Sequence, residues 1–300
     1  MSARQKGQPG RNRVAWPGAR DAAAGKRIVI SSVGSLGDIY PYLALARQLT
    51  LRGHNAIFAT SAYYRPLIEG EGVAFRPVRP DIDLEDRAMI RRIMEPKRGP
   101  EILIKEYVIP HLRHAYADLT AATHGADLLV THPITFAGPL VAERHQIPWV
   151  STVLAPMSFF SVYDFPVFPT LPSLARLYRM RPGVSRALMR VMRWMTRSWT
   201  APIRQLRAEL GLPARGHAFH EGQFAPGLTL ALFSRVLADP QPDWPPHTRV
   251  MGFVFYDGPD RLPPEVEQFL AEGPAPLVFT LGSSVVSAAG AFYPESVEVV

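Results

Sequence analysis

The 300-residue sequence contains no cysteine. Disulfides, thiolate metal sites and cysteine nucleophiles are therefore excluded, and any chemistry must come from oxygen and nitrogen groups. The absence fits a cytoplasmic protein, because disulfides are rare where thiols are kept reduced. Long apolar runs are missing too: no stretch approaches the roughly 18 residues that a membrane-crossing helix needs. No histidines and acids gather at metal-ligand spacing, and no Ser-His-acid set stands out, so no metal or resident cofactor is expected. Acids are fewer than bases, giving a net charge of +7, but the excess is concentrated. Arg4, Lys6, Arg11, Arg13, Arg20, Lys26 and Arg27 stand against the single acid Asp21 in the first 27 residues. That stretch is rich in Gly, Ala and Pro, has no apolar period and lacks the apolar segment of a secretory signal, so residues 1–25 read as a disordered basic arm. The arm is open to two readings, a solubilising leader or a contact with nucleic acid or anionic lipid. No nucleic-acid motif accompanies it, and no nucleic-acid partner is expected.

Hydrophobic residues at 47% and charged residues at 20% give the balance of a folded chain, with length for two domains or one large one. Apolar runs at 28–30, 56–59, 73–75, 127–131, 149–153, 228–233 and 249–254 read as strands. Helical patterns lie at 36–52, 85–94, 101–123, 136–145 and 174–210. The alternation predicts an α/β fold with a parallel, doubly wound, Rossmann-like sheet. Residues 257–276 read as a linker with a short helix at 266–270. Leu277 to Ser284 read as the strand and turn that open a second Rossmann-like domain, followed by a helix towards Val300. On this reading residues 26–256 form the first domain and residues 277–300 the incomplete start of the second.

The turn Gly34-Ser35-Leu36-Gly37-Asp38 between the first strand and the first helix places backbone N–H groups where open α/β sheets bind ligands. It is not the G-x-G-x-x-G fingerprint, and Ala59-Thr60 stands where a dinucleotide reader carries an acid, so a dehydrogenase is disfavoured. Asp38 has two readings: an N-cap that satisfies the helix start, or a general base towards an acceptor hydroxyl. His132 ends its strand on the same sheet edge, either paired with Asp38 or only hydrogen-bonded within its loop. Phe159, Phe160, Tyr163 and Phe165 follow a strand end, and read equally as core or as the wall of a pocket for a flat or lipid-like molecule. Arg186, Arg190, Arg193 and Arg197 draw a basic stripe on a helix. It reads either as a solvated face over a buried one, with Leu188, Met189, Met192, Met195 and Trp199 on the other faces, or as a docking face for an anionic membrane.

Taken in order, the segments 33–47, Leu51-Arg52-Gly53-His54, Phe58-Ala59-Thr60, 131–138, Pro148 to Thr152, Pro240 to Pro245, Gly252-Phe253 and Leu281 to Ser284 resemble family 1 glycosyltransferases. The similarity is to the sterol and antibiotic branch, with its family 28-type N-terminal domain and its GSxGD turn. The resemblance implies a GT-B architecture, with an N-terminal domain for the acceptor and a C-terminal domain for the nucleotide sugar. It implies inverting transfer of a hexose from a UDP- or dTDP-sugar, as co-substrate, to a hydroxyl of an apolar acceptor, without a metal. Asp38 matches the proposed base, and Gly34, Ser35 and Gly37 would meet sugar diphosphate and acceptor closely. Ser283 matches a donor-phosphate contact, and Ser284 lies beside it. The histidine- and glycine-rich donor motif of such enzymes would lie beyond Val300, so the chain is expected to be truncated. The alternative is a non-catalytic relative that keeps the acceptor fold.

Overall fold

Ile28, Val29 and Ile30 are all buried, as suits a strand covered on both faces in the middle of a parallel sheet. They belong to β1 (Arg27–Ser31), which pairs with β2 (Asn55–Thr60) on one side and β4 (Leu128–Thr131) on the other. With β3 (Ala74–Pro77), β5 (Trp149–Val153), β6 (Thr229–Ala231) and β7 (Thr248–Val250) they form one sheet of seven parallel strands in the order β3-β2-β1-β4-β5-β6-β7. The computed structural model describes residues 25–83, 85–95, 97–165, 182–258, 262–283, 285–286 and 289–299. The basic arm, apart from Gly25, thus lies outside the described residues.

The chain winds outward from β1 to β3, returns to β4 beside β1, and winds outward again to β7. The reversal puts the carboxyl ends of β1 and β4 side by side, with Ser31 opposite Thr131, and such a reversal opens a crevice in a doubly wound sheet. Alternation along the strands decides what covers each face. Ile28, Ile30, Phe58 and Val130 face α1 (Leu36–Leu51) and α2 (Arg65–Gly70), meeting Ile39, Leu43 and Ile68. Val29, Ile57 and Leu129 face α5 (Leu112–Ala122) and α6 (Ala137–His145), meeting Leu119 and Val141. Each such fully buried large side chain contributes about 1.5–3 kcal/mol over its exposed state.

The seven strands fall where the alternation places them, although β6 and β7 are shorter than the apolar runs that announce them. Helix α3 (Arg87–Ile93) is capped by Asp86, whose carboxylate accepts from Ala88 and Met89 N–H. The single helix expected over 101–123 is instead α4 (Gly99–Ile102), a π turn at Leu103–Val108, a 3₁₀ turn at Ile109–His111, and then α5. Pro110 supplies no N–H to a regular α-helix, so the backbone changes its hydrogen-bond spacing around it. The helical stretch expected over 174–210 is described from α7 (Pro182–Thr196), which a turn at 197–200 separates from α8 (Ala201–Glu209).

Residues 277–281 do not form the expected strand. Leu277, Val278 and Phe279 are exposed, with no strand beside them to take their backbone hydrogen bonds among the described residues. A short apolar run has strand propensity, but it becomes a strand only when a neighbour pairs with it. Helix α9 (Pro264–Ala271) contains the expected short helix, and α10 (Phe292–Val299) is the last.

Candidate functional site

Helix α1 starts at the crevice, and its first turn differs from the simple cap expected. Ser35 occupies the N-cap and Asp38 is the third helical residue, so the carboxylate reaches back to the Ser35 N–H at 2.9 Å. The Ser35 hydroxyl lies 3.3 Å from the same oxygen, Oδ2. Reaching back from this position satisfies a helix-start donor as an N-cap would. It occupies only one carboxylate oxygen. The other, Oδ1, lies 3.4 Å from His132 Nε2. Support of the helix start and contact with His132 thus coexist on one side chain.

The order of the pair is read from exposure: the Asp38 side chain is 34% exposed and that of His132 only 9%. The carboxylate faces the crevice and the imidazole stands behind it. His132 packs edge-on against the Tyr42 ring, with centroids 5.9 Å apart. The Thr152 hydroxyl donates to the Thr131 carbonyl at 2.8 Å, so the Tyr42 hydroxyl, 2.6 Å away, donates to Thr152. This buried chain ties α1 to β4 and β5, and burial holds the Tyr42 phenol well above its usual range. His132 Nδ1 is buried without a partner among the described residues. The Tyr64 hydroxyl donates to the Gly34 carbonyl at 2.8 Å and the Ser32 hydroxyl to the Asp38 carbonyl at 2.8 Å, fixing both ends of the turn.

Burial pushes the Asp38 carboxyl up, but the His132 hydrogen bond and the charge of that ring when protonated, followed by the Ser35 amide and hydroxyl, outweigh it. The group therefore sits below its ordinary value of 3.8. A carboxyl lowered by folding adds stability above its unfolded value, and that contribution is lost as pH falls through the folded value. We expect carboxyl-carbon NMR to show Asp38 titrating below pH 3.8. In His132→Phe the midpoint should move upward, because burial remains and the main opposing partner is gone. An unmoved midpoint would mean that His132 does not act on the carboxylate.

Of the residues expected at the donor phosphates, Gly34 and Ser35 are half-buried in this turn and Gly37 is exposed beside it. The structure does not bring Ser283 into a comparable position. It lies exposed in a turn, without a strand before it among the described residues. Ser284 lies outside the described residues.

The four aromatic residues after β5 divide. Phe159 is buried and stacks on Trp244 at 4.2 Å between centroids, and Phe165 is buried beside Met189 of α7. Phe160 is half-buried, with its ring 4.8 Å from that of His220. Tyr163 is exposed, and its hydroxyl accepts from Arg186 at 3.3 Å. Phe159 and Phe160, with Met189, His220, Phe224 and Trp244, line a cavity of about 430 Å³ that Arg193 and Glu221 border. Burial, with the nearby charges of His217 and Arg193, pushes His220 down to about 4, so it is a neutral hydrogen-bonding group at pH 7. Trp244 Nε1 is buried without a partner among the described residues. The loop that brings His220 here is held by Arg215, which is paired with Glu143 and donates to the Phe224 carbonyl. Sequence reasoning missed His220 and Trp244. Both arrive from loops distant from β5, and only the Pro-x-Pro-x-Trp-Pro run around Trp244 marks either of them.

Among the described residues no group of three or more His, Asp or Glu is placed to hold a metal ion, and no helix is long and apolar enough to cross a membrane.

A parallel doubly wound sheet, with a carboxylate–imidazole pair at its point of reversal, defines an α/β protein of Rossmann-like type. Residues 28–163 match the family described as the glycosyltransferase family 28 N-terminal domain. The chain is 30% identical over 272 residues to an O-mycaminosyltylonolide 6-deoxyallosyltransferase of Streptomyces fradiae, a match covering 86% of this chain and 61% of that protein. It is 28% identical over 248 residues to a sterol 3-beta-glucosyltransferase of Leptosphaeria maculans, covering 80% of this chain and 16% of that one. The chain thus spans less than two thirds of either relative. In fold it is similar to a spinosyn forosaminyltransferase, with a TM-score of 0.56 at 17% identity over 91% of this chain and 62% of the other.

Proposed function

We propose that residues 26–256 are the acceptor-side domain of an inverting, nucleotide-sugar-dependent hexosyltransferase acting on apolar alcohols. Residues 277–300 are then the opening of its donor-side domain, joined by the linker 257–276. The observation that carries this is the Asp38 carboxylate, turned to the crevice and backed by His132 at 3.4 Å. In this reading Asp38 takes the proton of the acceptor hydroxyl as its oxygen bonds to the anomeric carbon. The bond from that carbon to the diphosphate breaks on the opposite side, and the nucleoside diphosphate leaves with the electron pair. A carboxylate below its usual range is a weak base, but it is ionised at every working pH. It serves when proton transfer lags behind departure of the leaving group. His132 orients Oδ1 and stabilises the charge before transfer. The donor is a UDP- or dTDP-sugar consumed as co-substrate.

The cavity beside Phe160 supplies the acceptor site in this reading, because its aromatic and thioether wall suits a ring system or acyl chain. His220 and Trp244 Nε1 offer uncharged polar contacts. The reading includes peripheral contact with an anionic membrane, into which such acceptors partition. The test is the longest natural reading frame containing these residues, assayed with UDP- and dTDP-hexoses against sterols, hydroxylated lipids, macrolide aglycones and a hydrophilic sugar. Transfer to apolar acceptors with inversion is expected. No transfer, or preference for the hydrophilic sugar, would defeat the proposal. In the same assay Phe160→Ala should cost about 1–3 kcal/mol in acceptor kcat/KM, with donor hydrolysis nearly unchanged. A uniform loss across all acceptors with a lower Tm would instead assign Phe160 to the core.

A further inference from the structure

Helix α7 presents three faces where the sequence pattern suggests two. Met189 is buried on the inner face, and the arginine stripe runs along one flank. The remaining face is neither basic nor buried: Val191, Trp194 and Met195 are 52%, 76% and 57% exposed at positions i, i+3 and i+4. Side chains at that spacing lie together on a helix, so they form one apolar patch. Met195, grouped by the sequence pattern with the covered residues, is part of this outer patch. Arg186, Arg190 and Arg197 are exposed beside it, while Arg193 is paired with Glu221. No acid occurs between residues 182 and 208, so the surface of this helix carries uncompensated positive charge.

We propose that this face of α7 docks on an anionic bilayer surface. The arginines meet lipid phosphates, and Trp194, Val191 and Met195 enter the boundary between headgroups and acyl chains. A tryptophan with two aliphatic neighbours beside arginines is the composition that binds there, whereas arginines alone would serve any polyanion. Charge thus selects an anionic surface, and the apolar triad selects a membrane. The inner side of the same helix supplies Met189 and Arg193 to the 430 Å³ cavity. Docking therefore brings the bilayer to the element that borders the proposed acceptor site, and an acceptor dissolved in lipid reaches it without crossing water. This last step rests on the proposed function; the docking does not.

The test is co-sedimentation of the full chain with vesicles of phosphatidylcholine alone and of phosphatidylcholine mixed equally with phosphatidylglycerol. The chain should bind the mixed vesicles about tenfold or more tighter. The triple variant Val191→Ser, Trp194→Ser, Met195→Ser should lose about tenfold or more of that binding. The triple variant Arg186→Gln, Arg190→Gln, Arg197→Gln should lose on the order of a hundredfold. Unchanged Tm in both would show that the fold is kept. Absence of binding by the natural chain overturns the proposal, as does undiminished binding by both variants, which would assign the contact to the basic arm. Loss in the arginine variant alone means a polyanion contact and also overturns it, as does a dimer that the serine variant dissolves. A chain that binds vesicles but transfers no sugar defeats the proposed function and keeps the docking. Transfer to a dispersed apolar acceptor, such as a macrolide aglycone, without vesicle binding does the reverse.

Discussion

On the proposed function, Asp38→Asn in the longest natural reading frame should lower kcat by on the order of a hundredfold or more, with nucleotide-sugar affinity little changed. The substitution separates the two tasks of this side chain. An asparagine has the same shape, and its carbonyl oxygen can still accept from the Ser35 N–H that Oδ2 now engages at 2.9 Å. It cannot take a proton from an alcohol. The electrostatic contribution of the acid in the first helical turn is about 0.3–1 kcal/mol, so Tm should fall only slightly. His132→Phe gives the complementary result: the proposed base remains but is less well oriented, and kcat should fall less than in Asp38→Asn. Normal turnover by Asp38→Asn, together with a clearly lower Tm, would reduce Asp38 to a capping residue and remove the central support of the proposed chemistry.

The sheet was legible because its signal is local and repeated. The apolar run of each strand and the helical periods between them can be read without knowing what lies opposite. The same locality makes the Gly34–Asp38 turn and His132 legible as candidates, since each directly follows a strand whose carboxyl end faces the crevice. What could not be read depends on partners. That one carboxylate oxygen caps the helix while the other meets an imidazole follows from Ser31 lying opposite Thr131, a register the sequence does not display. Residues 277–281 have the composition of a strand but lack the pairing that makes one. Phe159 and Phe160 are adjacent and alike in type. Yet Phe159 stacks on Trp244 while Phe160 meets His220, because Phe160 turns into the left-handed region at φ 50° and its side chain departs in another direction. The outer face of α7 is masked in the sequence by its arginines, because Trp194 stands among them with no local signal of the face it takes.

Gly34→Ala should impair both stability and turnover, and Gly37→Ala neither or only one. Gly34 lies at φ 141°, where a residue with a side chain is strained whatever the space around it. Space is missing as well: a Cβ built on Gly34 would stand 2.2 Å from Asp38 Oδ2 and 2.6 Å from its Cγ. No rotation of alanine relieves that contact, so the carboxylate must leave its place between Ser35 and His132. We expect a stability loss of about 1–3 kcal/mol and, from a displacement near 1 Å, a fall in kcat on the order of a hundredfold. Gly37 differs in kind although it belongs to the same motif. A Cβ there meets nothing nearer than the Ser35 hydroxyl at 3.7 Å, and the residue has ordinary helical geometry in the first turn of α1. Alanine at that position should leave Tm unchanged or raise it slightly, by relieving the entropic cost of a helical glycine. If Gly37→Ala then weakens use of the nucleotide sugar, the glycine is there to let the diphosphate approach the backbone. If kinetics and Tm are both untouched, Gly34 alone accounts for the glycine requirement of the turn, and its reason is the placement of Asp38.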